Sequence, residues 1–148
     1  MVFIWSTGYL VTMCGRFALF ASADEILEAF DIDSLPVGVS LAPRYNIAPS
    51  QEIAIVREDD RGRHLSLARW GLVPGWSKEA KPRYATINAR VESVAEKPAY
   101  RVPFRRKRCL VPADGFYEWQ QQAAGKLPHF ICRPDRQVFA FAGLWDHW

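Results

Sequence analysis

The pattern of apolar and polar positions along the chain is mostly that of short β-strands. Several segments alternate apolar with polar residues, or form short apolar runs bounded by Pro, Gly or Asp, and both patterns are typical of strands. The last three of these segments are separated by short turn-forming stretches, which predicts that they pair in order as a meander. The predicted strands are 53–56, 64–70, 109–112, 115–120, 128–133 and 138–143.

One segment has helical spacing instead. Ser22 and Glu25 match a capping box, and the apolar residues that follow them recur at the spacing of a helix face, which predicts a short amphipathic helix over about 22–31. A chain of 148 residues corresponds to about one domain. The pattern as a whole therefore predicts a single α+β domain dominated by antiparallel sheet.

Composition and charge narrow the class of protein. Apolar residues make up 49%, charged residues 24% and aromatic residues 14% of the chain, which is typical of a globular protein with many aromatics. The net charge of +3 is mild, but Arg101 and the segment 104–108 (FRRKR) concentrate cations in one place. This basic segment is either a solvated loop or part of a surface that binds phosphates.

The three cysteines form no C-x-x-C pair and no zinc-ligand spacing with histidine. They argue against a disulfide framework and against a structural metal site. Cys109 and Cys132 lie in strand-like runs and are expected to be buried thiols. Cys14 differs, because it directly follows Met13 and precedes Gly-Arg.

Residues 1–12 are apolar but contain no Lys or Arg, so they lack the charged start of a secretory signal, and they are too short to cross a bilayer. We therefore expect a cytoplasmic location and no membrane role. Nothing in the sequence suggests a small-molecule cofactor or a metal.

Five blocks combine polar groups with Gly, Pro or Trp in a way that packing alone does not explain. Taken in order, they resemble the SRAP family, the SOS response-associated peptidases or abasic-site processing proteins. The resemblance implies a mainly antiparallel, barrel-like fold with short flanking helices, of which 13–148 would be roughly the N-terminal two thirds, with the C-terminal part missing. The blocks are 13–17 (MCGRF), 44–51 (RYNIAPSQ), 69–76 (RWGLVPGW), 87–93 (INARVES) and 109–119 (CLVPADGFYEW).

The resemblance implies chemistry at an N-terminal cysteine. An abasic site in single-stranded DNA has an aldehyde when its sugar ring opens. The α-amine of Cys14 would condense with this aldehyde, and the thiol would close a thiazolidine ring, giving a covalent DNA-protein crosslink. The family is also described as self-processing, with peptidase and lyase-like activity in the DNA damage response.

This chemistry requires that Met13 be removed, so residues 1–12 need an explanation. They are a misassigned start, a propeptide that the protein removes, or part of a chain that never frees Cys14. We favour the misassigned start, because residues 1–12 resemble no segment of the family.

Two further catalytic residues are implied by the resemblance. Asn88 matches an asparagine that orients the amine and the sugar. Glu118 matches a glutamate that moves protons during sugar opening and imine formation, and its aromatic neighbours can desolvate the carboxylate. From the residues alone, Asn88 would be a turn or cap residue and Glu118 a strand residue that faces water.

DNA contacts are implied for two arginines and two tryptophans. The resemblance assigns Arg16 and Arg90 to phosphates beside the lesion. Trp70 and Trp76 resemble the part of the family that stacks on bases, an interaction worth about 1–3 kcal/mol per base. Core packing is the common alternative for a tryptophan.

The resemblance fails at one residue, because the family has an essential histidine that none of His64, His129 and His147 matches. Two alternatives to a crosslinking enzyme therefore stay open: a non-catalytic binder of single-stranded DNA and an inert truncated relative. The expected partner is single-stranded DNA with abasic sites, bound by a monomer.

Overall fold

The structure, a computed structural model, describes residues 1–5, 15–79 and 86–148, with the backbone alone at position 5. Within these ranges, short helices accompany two β-sheets. The helices are α1 (Ala23–Phe30), α2 (Val91–Val94) and α3 (Arg101–Arg106). The strands are β1 (Val2–Trp5), β2 (Phe17–Leu19), β3 (Arg44–Ile47), β4 (Glu52–Asp59), β5 (Gly62–Arg69), β6 (Asn88–Arg90), β7 (Arg108–Ala113), β8 (Gly115–Gln122), β9 (Gly125–Cys132) and β10 (Phe139–Leu144).

Helix α1 confirms the helix predicted from its capping box. The Ser22 hydroxyl accepts a hydrogen bond from the Glu25 backbone N–H, and the Glu25 carboxylate accepts one from the Ser22 backbone N–H at 2.7 Å. The helix buries Ile26 and Phe30 and ends at Asp31 in a left-handed conformation (φ 55°). No helix in the described ranges has the length and apolar character needed to cross a membrane.

The strands form a six-stranded sheet in the order β5-β4-β7-β10-β1-β6 and a four-stranded sheet in the order β3-β2-β8-β9. The described strand pairs are antiparallel except for β1 and β6, which run parallel. The predicted mainly antiparallel fold is therefore confirmed. In the described residues, the strands form two separate sheets and not a closed barrel.

The predicted meander is wrong at its last strand. Strands β8 and β9 pair along their full length, but β10 joins the other sheet between β7 and β1. The reason is burial on both faces, because Phe141 packs into the core between the sheets and Leu144 packs on the opposite face. A strand covered on both sides belongs in the middle of a sheet, not at its edge.

Aromatic side chains fill the space between the two sheets. Phe3 and Phe141 stack at 4.9 Å between ring centroids, and Phe17 meets the Phe3 ring edge-on at 5.7 Å. The Trp70 ring centroid lies 4.6 Å from that of Phe3. A second, smaller core lies on the other face of the six-stranded sheet, where the side chains that follow come together: Val2, Leu72, Ala89, Val94, Tyr100 and Leu144.

Candidate functional site

Asn88 and Glu118 lie on different sheets and face the space between them. Asn88 begins β6 opposite Phe3 of β1, and the Phe3 ring packs in the core between the sheets. Glu118 follows Phe116 by two positions on β8, so the two side chains lie on the same face of the strand. The Phe116 ring packs against the same core as Phe3. The fold therefore places both predicted catalytic residues on facing inner surfaces.

Glu118 does not face water, in contrast to what its strand position alone suggested. The residue is only 8% exposed. The residue opposite Glu118 on the neighbouring strand β9 is His129. The His129 Nε2 lies 3.1 Å from the Oε1 of Gln120, which is on the same face of the hairpin as Glu118. The β8–β9 pairing thus sets a carboxylate, an imidazole and an amide side by side.

Arg16 is held beside the strand that carries Glu118. Its carbonyl oxygen accepts a hydrogen bond from the Tyr117 N–H at 2.9 Å, and its guanidinium donates to the Asn46 Oδ1 at 2.9 Å. Arg90 is exposed at the end of β6 and is separated by one residue from Asn88. Arg90 and Asn88 therefore share one face of that strand, as the alternation of side chains requires.

The two candidate tryptophans have different environments. Trp70 is 0% exposed, packs against Phe3 and Phe17, and donates from its Nε1 to the Ile87 carbonyl at 2.9 Å. No face of its indole is open to a base, so the structure shows the core alternative for Trp70. The Trp70 hydrogen bond holds Ile87, the residue before Asn88, which is a positioning role that no local sequence pattern indicates. Trp76 is 70% exposed and its indole is accessible.

The loop that carries Trp76 is tied to the end of the chain. The Gly75 N–H donates to the Asp146 carboxylate at 2.9 Å, and the Trp148 Nε1 donates to the Ser77 carbonyl at 2.9 Å. Lys107 forms an ion pair with Asp146. Partial burial works to raise the pKa of Asp146, but the hydrogen bonds from Lys107 and Gly75 outweigh it and hold that pKa below its usual value.

Comparison with known proteins identifies the family. The sequence model of the family described as SOS response associated peptidase (SRAP) matches residues 13–148. The chain belongs to the SRAP family. It is 45% identical over 137 residues to the abasic site processing protein YoaM of Bacillus subtilis. The aligned region covers 92% of this chain and 60% of that protein. It is 36% identical over 135 residues to the abasic site processing protein YedK of Escherichia coli, covering 89% of this chain and 59% of that protein.

Solved structures share the SRAP-like architecture of this chain. A protein from Bacteroides thetaiotaomicron superposes with a TM-score of 0.75 at 26% identity, covering 89% of this chain and 61% of that one. A phage-related protein from Bordetella bronchiseptica superposes with a TM-score of 0.69 at 28% identity, covering 88% of this chain and 60% of that one. The chain thus spans about 60% of the length of these relatives.

Cys14, the nucleophile that the SRAP resemblance implies, lies outside the described residues. The residues that follow it are described. Ala18 pairs with Gly115 and Phe17 with Phe116, and the Arg16 carbonyl continues this contact to Tyr117. The SRAP segment after Cys14 therefore runs directly beside the strand that holds Glu118.

A groove of about 550 Å³ lies at the start of β7, on the basic segment of this SRAP chain. Arginines and acidic residues line it together, so its walls carry charges of both signs. The sequence shows the cations of the 104–108 segment and the acidic residues of 57–60 separately, but it does not predict that the two lie together, because they are distant along the chain. The charged lining residues are Arg57, Glu58, Asp59, Asp60, Arg63, Arg105, Arg106 and Arg108.

Sequence reasoning also missed an aromatic surface on the four-stranded sheet. Phe20 stacks on Tyr45 at 5.3 Å between centroids, and the Tyr117 hydroxyl donates to the Tyr45 carbonyl at 2.8 Å. The Phe130 ring lies 5.1 Å from the Tyr117 ring between centroids, and the Trp119 ring lies beside that of Tyr117. The alternation in "GFYEWQ" is the one signal that could have separated this face from that of Glu118.

Proposed function

We propose that this chain is an abasic-site processing protein that crosslinks to single-stranded DNA through Cys14. The relatives at 45% and 36% identity are named abasic site processing proteins. The observation that carries the proposal is that Asn88 and Glu118 face the same space between the sheets, beside the segment that follows Cys14. A cytoplasmic setting, in which thiols stay reduced, is part of the proposal.

The proposed reaction needs only groups of this chain and of the DNA. The free α-amine of Cys14 attacks the C1′ aldehyde of the opened sugar, and loss of one water gives an imine. The Cys14 sulfur then adds to the imine carbon while the nitrogen takes a proton, which closes a thiazolidine ring. In this proposal the same imine is the intermediate for lyase-like cleavage of the DNA.

Glu118 and Asn88 have separate roles in the proposal. Glu118 is a largely buried carboxylate in the space between the sheets, where it would transfer protons during sugar opening and loss of water. Asn88 would hold the amine and a sugar oxygen without adding charge. Arg16, Arg90 and Trp76 would hold the flanking phosphates and one base.

The test uses the full chain with a protease site placed just before Cys14, cut so that Cys14 becomes a first residue while the N-terminal segment stays in the sample. The cut protein is incubated with single-stranded DNA that contains one abasic site and is then run on a denaturing gel. We expect a shifted band that is lost in Cys14→Ala and retained in the matched variant Cys132→Ala. Glu118→Gln should slow formation of the band by about 100-fold or more. Binding without a shifted band in a folded protein would contradict the proposal and favour a non-catalytic DNA binder.

A further inference from the structure

The charged groove at the start of β7 has two walls that come from different parts of the fold. Arg105 and Arg106 end α3, and Arg108 begins β7 directly after them. The facing wall is the tip of the hairpin that β4 and β5 form, where Asp59 lies opposite Gly62. The groove volume of about 550 Å³ lies within the range of sites for small molecules and cofactors, about 300–1,000 Å³.

Most carboxylates of the groove already have a partner within the hairpin. The Glu58 carboxylate forms an ion pair with Arg63 at 3.3 Å. The Asp59 carboxylate lies 3.8 Å from the Nδ1 of His64. Asp60 also lines the groove and forms no ion pair with any residue that the structure describes.

Most arginines of the groove, in contrast, have no acidic partner. The arginines that form no ion pair with a described residue are Arg57, Arg105, Arg106 and Arg108. The Arg57 guanidinium lies 4.5 Å from the centroid of the Trp145 ring, a contact that holds it in place. The Arg57 Nε is buried and has no hydrogen-bond partner among the described residues. A buried N–H of this kind is costly to leave unpaired, so an acceptor from a ligand would stabilise it.

Several available guanidinium groups along one groove favour a ligand with more than one anionic group. A guanidinium binds phosphate oxygens through two parallel N–H···O hydrogen bonds. A single phosphate is too small to reach four arginines that line about 550 Å³. A chain of two or three phosphates can contact several of them at once.

The remaining lining residues suit a nucleoside attached to those phosphates. Asp60 would repel a phosphate, but a carboxylate accepts hydrogen bonds from ribose hydroxyls, as in dinucleotide-binding folds. Leu110 lines the same groove and is 39% exposed, which offers an apolar contact to a base. A continuous DNA strand would carry phosphates past the carboxylates, whereas a nucleotide can direct its phosphates to the arginines and its sugar to Asp60.

We propose that this groove binds a nucleoside di- or triphosphate, with the phosphates on Arg57 and the arginines of α3 and β7 and the ribose on Asp60. The groove is a different place from the space between the sheets. In the order of the larger sheet, β10 and β1 lie between β7 and β6, so the groove is about 14 Å or more from the strand that carries Asn88. Binding here needs no crosslink, so its outcome is independent of the proposed function.

The experiment titrates the full chain with ATP in the presence of EDTA, followed by isothermal titration calorimetry. Inorganic tripolyphosphate is the comparison probe, because it lacks the sugar and the base. We expect ATP to bind at least about 10-fold more tightly than tripolyphosphate. Arg57→Gln should weaken ATP binding by about 10-fold or more, whereas Arg133→Gln, a matched change at an arginine that pairs with Asp135 outside the groove, should leave it unchanged.

A second variant guards against an Arg57→Gln chain that does not fold. Arg108 is exposed, so Arg108→Gln should leave unfolding by urea unchanged and still weaken ATP binding about 10-fold. A folded Arg108→Gln chain that binds ATP as tightly as the wild type would overturn the proposal, as would a wild-type chain that binds neither ATP nor tripolyphosphate.

The variant Asp60→Asn distinguishes a free nucleotide from a DNA strand as the source of the phosphates. It should bring the affinity for ATP down toward that for tripolyphosphate and should not weaken binding of an undamaged single-stranded oligonucleotide. Equal loss of ATP and oligonucleotide binding in Asp60→Asn would assign the groove to the DNA strand and overturn the nucleotide site. ATP binding no tighter than that of tripolyphosphate in the wild type would overturn it as well.

Discussion

At the scale of single residues, buried polar groups link separate parts of the fold. The Asp114 carboxylate is buried and accepts hydrogen bonds from the Phe20 and Ala21 backbone N–H groups at 2.6 and 2.9 Å. It thereby ties the turn between β7 and β8 to the end of β2. Glu118, four residues later, is also buried. The same sequence block thus supplies one carboxylate to the fold and one to the candidate site.

The two described cysteines are expected to differ in reactivity. Burial raises the pKa of the Cys109 thiol to about 12, whereas Cys132 is half-buried. At pH 8, iodoacetamide should label Cys109 in the folded chain at least about 1000-fold more slowly than in the urea-unfolded chain, because the thiolate is the reactive form. Peptide mass mapping measures both rates, and equal labelling of Cys109 in the two states would contradict the assignment.

The same thiol gives a pH dependence of stability. In the unfolded chain Cys109 loses its proton near pH 9, and in the folded chain only near pH 12. The folded state therefore holds more protons in this range, so the contribution of this group is complete below pH 9 and falls as the pH rises toward 12. Urea unfolding between pH 8 and 10 should show this fall, which Cys109→Ala should reduce and Cys132→Ala should not.

At the scale of elements, the loop that presents Trp76 is fixed by residues from the far end of the chain. Asp146 accepts from the Gly75 N–H, and Trp148 donates to the Ser77 carbonyl. The close approach leaves no room at Gly75, where an added Cβ would lie 2.8 Å from the His147 carbonyl oxygen. In the proposed function, a loop held in this way would present the exposed Trp76 ring to a base without a further cost of ordering.

Gly75→Ala is therefore expected to displace this loop. The new methyl group meets backbone rather than a flexible side chain, so the change should cost about 1–3 kcal/mol of unfolding free energy. It should also weaken binding to undamaged single-stranded DNA. Urea unfolding and fluorescence anisotropy measure the two effects.

Gly15→Ala is the matched control for stability, because an added Cβ there meets no atom of the described residues within 4 Å. A Gly75→Ala chain as stable as the Gly15→Ala chain would show that the contact between the loop and the chain end is looser than described.

At the scale of the whole molecule, the two sheets enclose an aromatic core, and exposed cations lie at the end of α3. Arg105 and Arg106 are exposed at the end of α3, beside the groove at the start of β7. Arg133 is also exposed, but it pairs with Asp135 at 2.6 Å. The net charge of the chain is only +3, so its few unpaired cations matter most for binding phosphates. Among the described residues, Arg105 and Arg106 form no such short ion pair and are better candidates for phosphate contacts than Arg133.

Replacing both Arg105 and Arg106 with Gln should therefore weaken DNA binding and flatten its salt dependence. Each phosphate contact adds about 0.7 to the slope of log K against log salt for single strands, so the double variant should lower the slope by roughly 1 to 2. Anisotropy titrations between 50 and 200 mM salt, about the range over which such effects are large, measure it. An equal change in Arg133→Gln would contradict a specific role for the α3 arginines.

The sequence by itself determined one helix and six of the strands of this protein. The capping box at Ser22 and Glu25 predicted α1, and the alternation along 115–120 and 128–133 predicted the strands that pair as β8 and β9. These features depend on neighbouring residues, whose spacing is visible in a single sequence. The motif blocks likewise predicted the SRAP family, which the comparisons confirmed.

Only the tertiary structure decided which partners and faces each element received. It buried Trp70, placed β10 in the larger sheet, and set β1 between β10 and β6. It also placed Asn88 and Glu118 on facing surfaces. The pairs involved, such as Phe3 with Asn88 and Gly75 with Asp146, are distant in sequence. Their contacts depend on how the whole chain fills its core, which no local pattern of apolar and polar residues specifies.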